Sequence, residues 1–253
     1  MTNVINLFHQ AEDYFFSGIS QKCIDFDRVA KAYMTEVPIA SLNPVYIKTK
    51  CDITEIIRKS HVFFPGDHPF EIILPKEFCT SNIKKTLKKL DHVQIAKSTP
   101  MVVSLIENVD YGDNDNNKDF IIRLDQSLKD WMVPMISAFE STLEMTFLYS
   151  KTHKNALTQG YRFKHFCLYI DKQPISSITL SIQGNSARID DVGTIPLYQN
   201  KGYATKLIKH ALCEAKKLGL SYCFLEASDS GLSIYKKLGF CPLLKNNIYS
   251  KQS

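Results

Sequence analysis

The sequence predicts an α+β protein in which a mixed, mostly antiparallel sheet is flanked by helices. Three observations carry that expectation. Three β-like runs at 162–170, 174–183 and 187–194 follow one another across tight connections at 171–173 and 184–185, which makes an antiparallel meander. Next, Ala204, Leu207, Ile208, Ala211, Leu212, Ala215 and Leu218 fall on one helical stripe, so a helix over 202–218 packs on that sheet. Finally, the order from residue 120 onward reads β–α–β–β–β–α–β–α–β, with strands and helices interleaved.

In the first half, apolar residues recur at helical spacing over 4–16 and again over 26–37, with Gly18 between them, which predicts two helices. Further helices are expected at 53–58 and at 82–90, the latter behind Ser81 or Asn82 as a cap. Short β-like runs lie at 45–48, 70–74, 93–96 and 101–105. The stretch 110–119 is rich in turn formers, and Tyr111 is its one apolar residue. It reads as a linker between an N-terminal domain (1–108) and a C-terminal domain (119–253). The second domain opens with a strand at 120–124 and a long helix over 127–149, which Pro134 would kink if it fell inside. After the meander and the 202–218 helix come a strand at 221–227, a short helix up to Gly239 and a final β region.

Composition narrows the class. The chain has 253 residues, is 44% hydrophobic and 23% charged, and contains no run of about 18 apolar residues that would cross a membrane. Its start lacks the basic and apolar segments of a secretory signal. Seven cysteines are scattered without a C-x-x-C pair, which points to reduced thiols in a cytoplasmic protein rather than a disulfide framework or a zinc site. The net charge of +5 is too mild to imply nucleic acid. Two lysine groups stand out, one over 84–89 and one over 201–217; each is either a solvated helix face or an attraction for an anion.

The most informative stretch is Val192, Gly193 and Thr194 followed by Gln199, Asn200, Lys201, Gly202, Tyr203, Ala204 and Thr205. A strand ends there and a helix begins. The first amides of a helix have no internal partner and point outward at the positive end of the macrodipole. Gly202 removes the side chain that would keep a phosphate from those amides, Ala204 keeps the next approach clear, and Lys201 adds positive charge.

Together with the downstream segment Ile234-Tyr-Lys-Lys-Leu-Gly-Phe240, this loop resembles the GNAT superfamily of acyl-CoA-dependent N-acetyltransferases. The family's Q/R-x-x-G-x-G/A loop is filled by Gln199, Gly202 and Ala204, and the likeness covers about 119–245. Residues 40–106 are similar to the degenerate GNAT-type half of tandem members, without such a loop. The resemblance implies two tandem GNAT-like halves and acetyl-CoA as cosubstrate. It also implies that the backbone of Val192, Gly193 and Thr194 contacts the acetyl and pantetheine part, while Asn200 to Thr205 cradle the pyrophosphate. Two positions depart from the family: Ser228 stands where many members have Asn on the pantetheine arm, and Gln199 replaces the commoner Arg.

By the same resemblance Tyr235 occupies the position of the general acid that protonates the departing thiolate, and a phenol suits that role. A backbone amide near Gly193 or Thr194 would polarise the carbonyl. The base stays open among Asp190, Asp191, Glu226, His165 and a water chain; alternation along the strand would send Asp190 and Asp191 to opposite faces. Cys223 and Cys241 have no evident His partner for a thiol mechanism. The expected function is transfer of an acetyl group from acetyl-CoA to a primary amine by direct attack in a ternary complex. The expected partners are acetyl-CoA and an amine-bearing acceptor, with no metal, nucleic acid or membrane, in a monomer or homodimer. The alternative is a non-catalytic acyl-CoA-binding or interaction module that keeps the fold.

Overall fold

The computed structural model describes residues 2–66, 68–106, 111 and 119–251. Its strands join into one sheet that runs through both halves of the chain. The first half contributes helix α1 (Thr2–Ile19), hairpin strands β1 (Lys22–Phe26) and β2 (Ala30–Met34), and β3 (Pro44–Ile47). It continues with α2 (Ile53–Phe63), β4 (Glu71–Pro75), α3 (Ser81–Lys89) and β5 (His92–Ser104). The second half begins with β6 (Ile121–Leu124), α4 (Lys129–Ala138) and α5 (Leu143–Thr158). The meander β7 (Phe163–Ile170), β8 (Gln173–Gln183) and β9 (Ser186–Thr194) follows. Helix α6 (Tyr203–Lys217), β10 (Tyr222–Ser228), α7 (Leu232–Lys237), β11 (Cys241–Pro242) and β12 (Asn246–Lys251) complete it. The linker expected at 110–119 lies outside the described residues except for Tyr111 and Asp119; Tyr111 is buried in the core beneath α6.

Across the sheet the order is β1-β2-β3-β4-β12-β5-β10-β9-β8-β7-β6, with β11 pairing on β5. Among the described strands only β3 with β4 and β9 with β10 run parallel. Each half therefore lends a strand to the other. The last strand, β12, lies between β4 and β5, and β5 lies against β10. Residues 93–96 and 101–105 are not two strands but parts of one 13-residue strand that carries Pro100 in its interior. The Pro100 carbonyl accepts from the Leu243 amide at 2.9 Å. That edge faces the gap where β11 gives way to β12, so the missing N–H breaks no ladder bond.

Residues 26–37 form most of the β1–β2 hairpin and not a helix. Asp27 and Arg28 take φ of 54° and 62°, and the Val29 amide bonds the Phe26 carbonyl at 3.0 Å, closing a tight turn. Ala30, Ala32 and Met34 face one core and Tyr33 the other. With both faces buried, apolar residues fill helix-like intervals, which is why the spacing misleads. The helix expected over 127–149 is two helices. Glu140 takes φ of 49°, and the Thr142 hydroxyl accepts from the Met145 amide at 3.1 Å to start α5. Pro134 sits inside α4, whose start is held from outside by Asp125; its Oδ2 accepts from the amides of Asp130 and Trp131, each at 2.9 Å.

Helices α1, α4 and α5 cover one face of the sheet, where Phe15, Trp131 and Tyr149 pack together. Helices α6 and α7 cover the other face in the second half, and α2 and α3 do so in the first. The stripe of α6 is buried as expected from Leu207 to Ala215, while Leu218 stays 42% exposed.

Candidate functional site

Strands β9 and β10 pair in parallel from Ser186 to Ile189 and then separate. At the separation the ladder between β8 and β9 slips, and Asp191 takes a φ of 56°. This is a β-bulge, which adds a residue and re-aims the side chains around it. Alternation therefore fails at this point. Asp190 and Asp191 both line one cavity of about 540 Å³, on the side of α1, α4 and α5.

A second cavity, also of about 540 Å³, opens beside the end of β9. Val192, Thr194, Gln199, Asn200 and Gly202 line it, as do Tyr203, Ala204, Thr205, Ser228 and Tyr235. Gly193 and Lys201 are not among its lining residues. A Cβ on Gly193 would come within 3.3 Å of the Ala138 Cβ and 3.4 Å of the Met135 sulfur, so this glycine lets the end of α4 lie on β9. Its carbonyl accepts from the Ser176 hydroxyl at 2.9 Å. The Lys201 ammonium sits 5.4 Å from the centre of the Tyr198 ring.

Gly202 takes a φ of 83° at the entry to α6, where no side chain caps the first turn. A Cβ there would meet nothing within 4 Å, and the residues of that first turn line the cavity. Gln199 closes the loop by donating its Nε2 to the Thr194 carbonyl at 3.0 Å. Ser228 is tied into the turn that starts α7, accepting from the Gly231 amide at 3.2 Å and lying 3.0 Å from the Ser230 hydroxyl. Tyr235 is half-buried against the cavity. Burial, with the charge of Asp190 behind it, pushes its phenol up to about 12. Sequence reasoning missed Phe139, which lines both cavities from the break between α4 and α5. It also missed the share of α1; an amphipathic stripe carries no mark of which buried positions will face a void.

The acids differ in their surroundings. The Arg188 side chain is 2% exposed, and its Nε donates to both oxygens of Asp190 at 2.9 and 3.0 Å. Burial still pushes the Asp190 carboxyl up to about 6 against that pull. Asp191 is pushed up to about 7, by burial first and then by Asp190. It accepts from the Tyr149 hydroxyl at 2.8 Å, and the His153 Nε2 lies 3.7 Å from its other oxygen. Behind it, His153 and His165 share a 2.9 Å hydrogen bond, and burial holds both well below the ordinary imidazole value, His165 at about 3. His165 is thus away from both cavities. Glu226 is engaged by Ser98 at 2.5 Å, Asn246 at 2.8 Å and Tyr46 at 3.2 Å, which ties β10 to β5 and β3 of the first half and to β12.

Glu71 on β4 belongs to the same charged interior: burial, then Glu226, pushes its carboxyl up to about 7. A carboxyl raised on folding gives stability at low pH that is lost as pH rises through the folded value. Glu71→Gln should therefore stabilise the protein by about 2–3 kcal/mol at pH 8 and by little at pH 4.5. Urea titrations at the two pH values measure this; an equal effect at both would mean that Glu71 is not strained.

A third cavity, of about 650 Å³, lies between the first half and the segment that leads into β12, where Lys48, Lys76 and Lys245 line it. The start of α2 in this half differs from that of α6. Asp52 caps α2 by accepting from the Thr54 amide at 2.9 Å, and Glu55 follows in the first turn. A phosphate there would meet negative charge at the amides that would otherwise hold it.

The sequence profile of the acetyltransferase (GNAT) family matches residues 127–240. Residues 127–240 are a GNAT acetyltransferase domain. A search of the curated proteins found no match to this chain. Among solved structures, a functionally unknown conserved protein from Staphylococcus epidermidis superposes with a TM-score of 0.67 at 15% identity, covering 93% of this chain and 95% of that one. A GCN5-related N-acetyltransferase from Kribbella flavida does so at 0.61 and 12% identity, over 97% and 95%. A tandem GNAT protein from the clavulanic acid biosynthesis pathway gives 0.59 and 12% identity, over 88% and 78%. At these identities the likeness is one of fold, and that fold is the GNAT fold, tandem examples included. No helix among the described residues is long and apolar enough to cross a membrane.

Proposed function

We propose that the protein transfers an acetyl group from acetyl-CoA to a primary amine by direct attack in a ternary complex. The observation that carries this reading is the placement of two cavities that share Phe139 beside the β9 bulge. One is lined by the loop and first turn of α6, the other by the β9 carboxylates Asp190 and Asp191 and by Glu140, and Phe139 borders both. In this reading the pyrophosphate lies on the amides from Gly202 to Thr205, with Asn200 at the loop's edge. The pantetheine arm runs past Val192, Thr194 and Ser228 towards the bulge.

Asp191 takes the proton from the attacking nitrogen. Asp190 is held by Arg188, whereas one Asp191 oxygen has no hydrogen-bond partner among the described residues. A carboxyl near 7 ionises at neutral pH and still attracts a proton. As the nitrogen bonds to the carbonyl carbon, the C–S bond breaks and Tyr235 gives its proton to the thiolate. The raised phenol stays protonated across the working range. The N-terminal half (1–108) supplies part of the acceptor wall through Phe15, Phe16 and Leu42.

A non-catalytic acyl-CoA-binding role is the second reading, favoured by the turn that already occupies Ser228. Calorimetry with acetyl-CoA and thiol release across amines separate the two; no binding at millimolar acetyl-CoA would sink both. Tyr235→Phe should lower kcat by about 10²-fold, within the range for general acids, and leave the acetyl-CoA Kd nearly unchanged. A large loss of affinity would instead make Tyr235 a binding or packing residue.

A further inference from the structure

We infer that the acceptor is a small primary amine with one positive charge on an apolar body, aromatic or branched alkyl, and with no carboxylate of its own. The inference rests on the transferase reading and narrows its substrate. The acceptor cavity has a volume typical of a small-molecule site. Its walls are Phe15, Phe16 and Leu42 from the first half and Met135, Phe139 and Met145 from the second. Thioether side chains adapt to ligand shape, and aromatic ones offer flat apolar surface.

Charge enters from one sign only. Asp190 and Asp191 line the cavity on β9 and Glu140 lines it on the turn before α5, while no lysine, arginine or histidine is among the lining residues. Arg188 lies beneath, with its Nε committed to Asp190. A carboxylate on the acceptor would thus face like charges with no cation on the cavity lining to pair with, which disfavours it at a desolvated contact. The Asp191 side chain is 10% exposed, and its Oδ2 is buried without a hydrogen-bond partner, with the Thr179 hydroxyl, itself unpaired, near enough to favour the carboxylate. His153 at 3.7 Å is beyond hydrogen-bond reach, and burial keeps that imidazole neutral. An ammonium or amine N–H would satisfy this orphaned acceptor.

Binding of 2-phenylethylamine to the CoA-free protein, followed by calorimetry, tests the cavity apart from catalysis. Acetylation of 2-phenylethylamine, L-phenylalanine, spermidine, glucosamine and a lysine-containing peptide then tests the class. The kcat/KM for 2-phenylethylamine should exceed that for L-phenylalanine on the order of 100-fold. A preference for the amino acid, polyamine, aminosugar or peptide would overturn this inference while leaving the transferase standing. If acetyl-CoA fails to bind, the transferase reading falls instead, and binding of 2-phenylethylamine alone still judges the cavity; no heat with that amine overturns the inference.

Two variants secure the location. Asp191→Asn, which keeps shape and tolerates the left-handed backbone, should weaken 2-phenylethylamine binding by about 30-fold without changing acetyl-CoA affinity. Met145→Arg supplies the missing cation and should narrow the preference over L-phenylalanine by about 10-fold. Unchanged amine affinity in the first, or an unchanged ratio in the second, counts against the assignment.

Discussion

Gly202→Glu is expected to abolish acetyl-CoA binding, raising the Kd at least about 100-fold through steric and charge exclusion. Two effects add at this residue. The backbone φ of 83° strains any L side chain, at about 1–2 kcal/mol. The side chain would also grow into the open space before the first turn of α6 and set a carboxylate where a phosphate is proposed to lie. Gly202→Ala separates them. Its methyl would meet nothing within 4 Å, so only the strain remains. Calorimetry should find acetyl-CoA binding nearly retained by the alanine variant and lost by the glutamate one. Equal losses would show that the loop's conformation, and not the open space, governs binding.

Arg188→Met should destabilise the fold by about 3–5 kcal/mol at pH 8, the cost of leaving buried carboxylates without their cation. Arg188 donates to Asp190, has a terminal nitrogen 3.9 Å from Glu226, and lies 5.5 Å from the Phe8 ring centre. Methionine replaces the apolar stem but not the charge. The loss should shrink at pH 5, because Asp190 and Asp191, raised to about 6 and about 7, take up protons as pH falls through those values. Urea denaturation at both pH values checks it. A loss below about 1 kcal/mol at pH 8 would mean that water or rearrangement replaces the guanidinium.

The strand–turn–helix at 194–205 was legible in the sequence because its physics is local. A glycine ahead of a small residue at a helix start announces itself within six positions, and the structure puts Gly202 at the entry to α6. The meander was legible for the same reason: Asp171 and Lys172 turn with φ of 47° and 68°, and alternating strands flank them. Residues 26–37 were not legible, because burial on both faces erases the period that distinguishes strand from helix. The break at 139–142 was hidden by an unbroken run of helix-compatible residues, with only Ser141 and Thr142 as possible caps. The bulge at Asp191 defeated strict alternation and brought two carboxylates to one cavity.

The amino-acid sequence alone was enough for most of the secondary-structure order of the second half, save the split into α4 and α5, for the glycine turn at the start of α6 and for the resemblance that named the family. These rest on neighbours within one or two turns of chain. Long-range packing sets that β12 enters between β4 and β5, that β5 lies on β10, and that α1 helps wall a cavity against β9. Those pairings join residues far apart in the chain, such as Ser98 with Glu226, and no local propensity encodes them. They follow from burying every sheet face and pairing every inner strand edge at once, a condition that only the whole chain can meet.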